Sequence, residues 1–212
     1  LMVWTCEMLV KEPHSPQMLT MHQDHRYWGF GSSGEQVTAW IALSEVTDAN
    51  GAMRFVRGSH LFGDVDHRDT FGADNILSRG QEITIGHDPA DEVVVALHPG
   101  ELWVHHGLMF HGSGPNGSDV RRVGIAIRYV TPSVRQEIGG VDYATPVRGD
   151  CSGAEFLTLP VPVTDFDPET VPFHERMLAA HDATLGTGAG QPMAYDRVRS
   201  TGSEGSGKST AT

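Results

Sequence analysis

Twelve histidines in 212 residues bring imidazole close to many carboxylates, and the stretch TMHQDHRYW sets His22 two residues before Asp24. In a strand, residues i and i+2 point to the same side, so this pair can offer an imidazole and a carboxylate to one ion. A third ligand from a distant strand would complete the two-histidine, one-carboxylate set of non-haem iron(II) oxygenases. Alone the pair is a weak signal, because chance supplies roughly one H-x-D in such a chain. A second copy does occur, His67-Arg68-Asp69. It lies in a polar, irregular stretch and reads as a solvated loop segment. A different chemistry is suggested at the far end, where Gly202, Gly207, Lys208 and Ser209 have the spacing of a phosphate-binding loop. That loop needs a hydrophobic strand before it and a helix after it. Here polar YDRVRST precedes and three residues follow, so 199–212 reads as a flexible tail.

The elements that must position His22 and Asp24 are mostly strands. Residues 2–10 read as one, and EQVTAWIALSEV (35–46) as the clearest, rich in β-branched and aromatic residues. DANG is a turn after it, and AMRFV (52–56) reads as the return strand of a hairpin. From Arg57 to about Gly80 the chain is irregular, and 57–95 is expected to form a lid-like loop at the pocket mouth. Short strands are expected at 81–86, 92–98 and 101–105, the last two joined by the turn at Pro99-Gly100, and RRVGIAIRYV (121–130) alternates as another. The one convincing helix is 168–185, with Asp167 as its cap and Pro168 in its first turn. Many short strands at regular spacing predict a barrel or sandwich.

Composition sets the bounds. The length suits a single domain, expected over 1–198, with a sizeable core. A net charge of −12 argues against nucleic acid and against an anionic membrane surface as partners. Cys6 and Cys151 are too few for a disulfide framework, which makes a reducing cytoplasm the expected compartment. No apolar run reaches transmembrane length, and the first residues lack a secretory signature. The chain begins on Leu1 inside what reads as a strand, and a fragment of a longer protein is expected.

Downstream stands VHHGLMFHGSGPNGSDVRRVGIAIRY, with His105, His106, His111, and Arg121 and Arg122 entering an apolar strand. An arginine buried at such a strand start is costly unless it meets an anion, and a carboxylate suits its fork. With HQDHRYWGF, AWIAL, NGAMRFVRGSH and PGELWVHHGLMFHGSGPN in this order, and Arg122 eleven residues after His111, the sequence resembles the phytanoyl-CoA dioxygenase family over about residues 5–132.

The resemblance implies a mainly β double-stranded β-helix, jelly-roll or cupin-like, with a C-terminal helix. It implies Fe(II), 2-oxoglutarate and O2 as the reacting set, with His22, Asp24 and His111 as metal ligands. Arg122, helped by Ser113, would hold the distal carboxylate of 2-oxoglutarate, with Trp40 lining that pocket. Gln23 would face away from the metal or toward the pocket edge, and His105 and His106 would pack or orient ligands, His106 being the rival of His111 for the third ligand. Hydroxylation of a C–H bond in a small metabolite would follow, with succinate and CO2 released. Asp24 stands where halogenating relatives have Ala or Gly. Family members carry a helical region before the H-x-D motif, and the 21 residues here imply that it is missing. Arg57, Arg68 and Arg79 read as solvated surface charge or as contacts for an anionic substrate. Two other readings fit the histidines: a cupin-like metal- or ligand-binding module without redox activity, and a zinc hydrolase with a metal-bound water.

Overall fold

The computed structural model describes residues 1–31, 34–191 and 193; the tail from 199 onward, with its phosphate-loop spacing, lies outside them. Three strands form the spine of the larger sheet: β1 (Met2–Lys11), β3 (Gln36–Ala42) and β10 (Arg122–Val130). Together with β8 (Leu102–His106) and β11 (Thr145–Pro146) they run β11-β1-β10-β3-β8, with every pairing antiparallel. The smaller sheet runs β2-β9-β4-β7, from Leu19–His22, His111–Ser113, Met53–Val56 and Glu92–Val95. A two-stranded ribbon, β5 (His67–Asp69) and β6 (Gln81–Ile83), stands beside them. The short α1 (His25–Trp28) follows β2, and α2 (Val171–Gly186) lies near the C-terminal end of the described chain. This is the double-stranded β-helix that the motifs implied. Among the described residues no helix is long and apolar enough to cross a membrane.

β10 shows how the sequence builds the interior. Arg122, Gly124 and Ala126 point inward at period two, and the register sets Ala126 opposite Glu7 on β1 and Trp40 on β3. The outer face of this sheet is apolar as well: Met8, Val10, Val37, Leu102 and Val104 are exposed on it. Two apolar faces blur the alternation on which strand assignment relies.

Several expectations need correction. AMRFV is a strand, but β4 does not return along β3. The turn at Asp48–Asn50, closed by a reciprocal Thr47–Asn50 capping box and Gly51 at φ 80°, carries the chain into the other sheet. There β4 pairs with β7 and β9. The strands around Pro99-Gly100 likewise part company, β7 going to the smaller sheet and β8 to the larger. The helix starts later than expected, at Val171 with Pro172 in its first turn and Thr170 at its N-cap. Asp167 instead closes the preceding turn, accepting from the N–H groups of Val163 and Glu169 at 3.0 Å each. The second H-x-D is not a solvated loop either, since His67–Asp69 is the strand β5, with His67 and Asp69 half-buried and Arg68 exposed.

Candidate metal centre

β2 and β9 are neighbours, and their register sets His22 directly opposite His111 with ring centroids 4.2 Å apart. On its other side β9 meets β4, and Phe55 stacks on His111 at 5.6 Å and 18°. Asp24 does not share a strand with His22, which corrects the i, i+2 argument. After β2 ends, the backbone turns to φ −61°, ψ −43°, and Asp24 becomes the N-cap of α1 without making a capping bond. Its carboxylate stays available and lies with Oδ1 3.5 Å from His22 Nε2 and Oδ2 3.7 Å from His111 Nε2. One ligand atom from each of the three residues falls within 4.8 Å of the others.

Hydrogen bonds dictate the tautomers. His22 Nδ1 donates to the Thr20 carbonyl at 2.8 Å, and His111 Nδ1 to the Met109 carbonyl at 2.9 Å. In each ring Nε2 then keeps its lone pair on the side facing Asp24. His22 Nε2 is buried with no hydrogen-bond partner. Burial lowers the pKa of His111 well below the ordinary value, with His22 adding to the shift and Asp24 opposing it. Burial alone would raise Asp24, but His111, His105, His22 and Arg128 outweigh it and hold the carboxyl well below the usual range. Two imidazoles and one carboxylate, with a partnerless buried nitrogen among them, are the donor set that suits Fe(II).

His105 is buried between Phe55 and His111, 4.8 Å from each, with Nε2 3.9 Å from Asp24 Oδ2. His106 faces elsewhere: Nε2 donates to the Gly34 carbonyl at 2.6 Å, and Nδ1 accepts from the Leu108 N–H at 3.0 Å. Gln23 turns away from the cluster, donating to the carbonyls of Gly63 and Leu108 and accepting from the Val65 N–H.

A second feature lies beyond Trp40. Arg122 is wholly buried; Nη1 donates to the Gly51 carbonyl, while Nε and Nη2 have no partner. The guanidinium carbon sits 5.3 Å from the Trp40 ring. Opposite Arg122 in register is Lys11, also wholly buried, which donates to Ser113 Oγ at 2.6 Å and to the Gly114 carbonyl. Burial lowers the Arg122 pKa to about 10, and burial plus the Arg122 charge lowers Lys11 to about 7. No carboxylate pairs with either cation among the described residues, so their desolvation is uncompensated. Lys11 was missed in the sequence, where a lysine ending an apolar strand looks like a boundary residue.

A cavity of about 280 Å³ opens on the cluster. Leu9, Trp40 and Met53 line its end toward Arg122, whereas Arg122, Ser113 and Lys11 are not part of the lining. Trp4, Tyr27, Trp28, Arg128, His181 and Leu185 line the other end, with Leu77 and Gln81 from the 57–95 segment. α2 is held over this end by His181 on Asp142 at 2.9 Å and by Arg79, whose Nη1 donates to the carbonyls of Leu185 and Thr187. Arg79 also pairs with Asp69, so it is neither solvated nor free for a substrate. Arg68 is the exposed ion pair with Glu82 that surface charge predicts.

Gly124 lets the Trp40 indole pack flush on β10, because a Cβ there would fall on the indole ring. Gly124→Ala is therefore expected to cost about 1–3 kcal/mol of stability, the usual range for overpacking. A urea-denaturation midpoint unchanged from wild type would show that Trp40 can move aside.

A family model described as phytanoyl-CoA dioxygenase (PhyH) matches residues 2–124, a span that contains His22, Asp24, Trp40, His111, Ser113 and Arg122. The chain is 30% identical over 136 residues to a probable alpha-ketoglutarate-dependent hypophosphite dioxygenase of Stutzerimonas stutzeri, covering 62% of this chain and 46% of that protein. It thus spans less than half the length of this curated relative. The solved apo structure of the non-heme monooxygenase ThoJ matches with TM-score 0.76 and 35% identity, over 88% of this chain and 67% of that one. The epimerase SnoN, solved in complex with Fe3+, alpha ketoglutarate and nogalamycin RO, matches with TM-score 0.53 and 26% identity, over 66% of this chain and 54% of its own.

Proposed function

The chain belongs to the phytanoyl-CoA dioxygenase family, and on that premise we propose that it is an Fe(II)- and 2-oxoglutarate-dependent dioxygenase that hydroxylates a C–H bond of a small metabolite, releasing succinate and CO2. The observation that carries this reading is the pairing of two unusual features: a buried two-histidine, one-carboxylate cluster and, beyond Trp40, two buried cations without an acid. A metal answers the first and a dicarboxylate the second. Iron and 2-oxoglutarate, when bound, would supply the electrons that activate O2, the oxidant, for attack on an unactivated C–H bond.

The chain's own residues do the rest. His22, Asp24 and His111 would hold the metal, with the Asp24 carboxyl held well below the usual range and His111 well below the ordinary imidazole value. Arg122, Lys11 and Ser113 would receive the distal carboxylate, with Leu9, Trp40 and Met53 shifting to admit it. The apolar and aromatic walls exclude water, and α2 with the 57–95 segment limits the substrate to what a cavity of about 280 Å³ can take beside the oxo acid. A zinc hydrolase or a passive binding module would leave the Arg122–Lys11 pair without a purpose.

Anaerobic titration with Fe(II) and then 2-oxoglutarate tests this without knowledge of the substrate. A visible charge-transfer band from the chelated oxo acid is expected. Folded protein that binds metal but develops no band would sink the proposal in favour of the zinc or binding-module readings.

The lowered Lys11 pKa makes a further prediction. Above about pH 7 the folded chain holds fewer protons than the unfolded one, whose lysines titrate near pH 10.4, so stability should rise with pH across that window. Below pH 7 both states are protonated and the gain is absent. The denaturation midpoint of metal-free protein is expected to climb between pH 7 and 9, and Lys11→Met to flatten that climb. Saturating 2-oxoglutarate should flatten it too, because a bound carboxylate restores the lysine charge. An identical climb in Lys11→Met would assign the pH dependence to other groups.

A further inference from the structure

The second H-x-D motif reads as loop in the sequence, yet its histidine reaches the first motif. His67 Nδ1 donates to the Val65 carbonyl at 2.8 Å, which leaves Nε2 as an acceptor. The partner of Nε2 is the backbone N–H of Gln23, at 2.9 Å. Gln23 is the residue between His22 and Asp24, where extended backbone gives way to the first turn of α1. Its N–H is buried at the end of the β2–β9 ladder and needs an acceptor that the sheet does not supply.

The same short segment grips the Gln23 side chain, through the Gly63 carbonyl at 2.7 Å and the Val65 N–H at 2.9 Å. The ring is kept in place by an edge contact with Tyr27, centroids 5.5 Å apart at 87°. Asp69, the other half of the second motif, does not contact Gln23: it pairs with Arg79 and accepts from the Tyr27 hydroxyl at 3.4 Å.

We propose that His67 is a positioning residue for the metal centre, whose Nε2 fixes the Gln23 peptide and so sets the angle at which His22 and Asp24 converge. This rests on the metal reading of that cluster. Outer partners that orient ligands typically change metal affinity by about 10–100-fold when removed. The inference overturns the natural expectation that the second H-x-D is inert.

Two variants isolate the acceptor. In His67→Gln the side-chain oxygen can reach the place of Nε2, whereas the shorter His67→Asn can replace only Nδ1. Both lose the ring packing on Tyr27 equally. Fe(II) affinity, measured anaerobically by calorimetry, is expected to fall about 10–100-fold in His67→Asn and His67→Ala and to stay near wild type in His67→Gln. Hydrogen exchange of the metal-free protein over residues 19–26 should speed up in the same two variants and not in His67→Gln. Equal metal affinities in the Gln and Asn variants, or all three within twofold of wild type, would overturn the proposal. Failure of wild-type protein to bind Fe(II) would overturn the metal reading itself, and this proposal with it.

Discussion

His111→Ala is expected to abolish tight Fe(II) binding, lowering affinity by well over the roughly 100-fold typical of losing an outer partner, and to eliminate the charge-transfer band with 2-oxoglutarate. The physical reason lies in the preparation of this nitrogen. Burial keeps the ring neutral, its Nδ1–H is committed to the Met109 carbonyl, and Nε2 lies 3.7 Å from the Asp24 carboxylate. His105 is the nearest rival, buried with neither ring nitrogen hydrogen-bonded among the described residues. His105 lies behind it with Nε2 3.9 Å from the same carboxylate, and His106 is tied to Gly34 and Leu108 on another face. His106→Ala is the control and should leave metal affinity within a few-fold of wild type. A buried ring stacked on Phe55 also contributes packing, so the comparison belongs in folded, metal-free protein whose denaturation midpoint is measured alongside. If His106→Ala abolishes the band and His111→Ala preserves it, the third ligand has been misassigned.

Arg122→Met is expected to separate the oxo acid from the metal. A charge-assisted pair with a carboxylate contributes about 1.5–3 kcal/mol, so 2-oxoglutarate should bind about 10–100-fold more weakly. Fe(II) affinity should hardly move, because Arg122 shares no bond with the cluster. The second half of this prediction has the less obvious sign. Arg122 is buried with two of its three nitrogens unpartnered and Lys11 opposite. Removing that uncompensated charge should leave metal-free protein as stable as wild type or more so. Calorimetry with 2-oxoglutarate and urea denaturation without it check the two halves. Equal losses of metal and oxo-acid affinity would mean that the residue supports the fold rather than the carboxylate.

The legible part of the fold was local. β3 and β10 were readable because β-branched and aromatic residues crowd into them, and α2 because its stretch suits helix, although its start was misplaced by trusting Asp167 and Pro168. Strand partners were not readable. AMRFV looked like a hairpin return because a turn preceded it, and nothing in five residues says which sheet they will join. An outer face carrying Met8, Leu102 and Val104 made matters worse, since alternation marks an inner face only where the other face is polar.

The chemistry divides in the same way. Residue types and order, H-x-D, later histidines, then an arginine, point to a metal and an anion, because coordination and charge pairing depend on side-chain chemistry that a sequence states outright; the oxo acid and the six site residues follow only from the family resemblance those motifs carry. Which nitrogen lone pairs face one point was decided by the tertiary structure alone. His22 meets His111 through a β2–β9 pairing of residues 89 positions apart, and Asp24 reaches them from a helix cap rather than a strand. Lys11 and His67 acquire their roles only when burial strips away water: among the described residues one becomes a cation without an anion, the other an acceptor for a buried peptide N–H. Water would have satisfied both groups in an open chain, so nothing local in the sequence marks them.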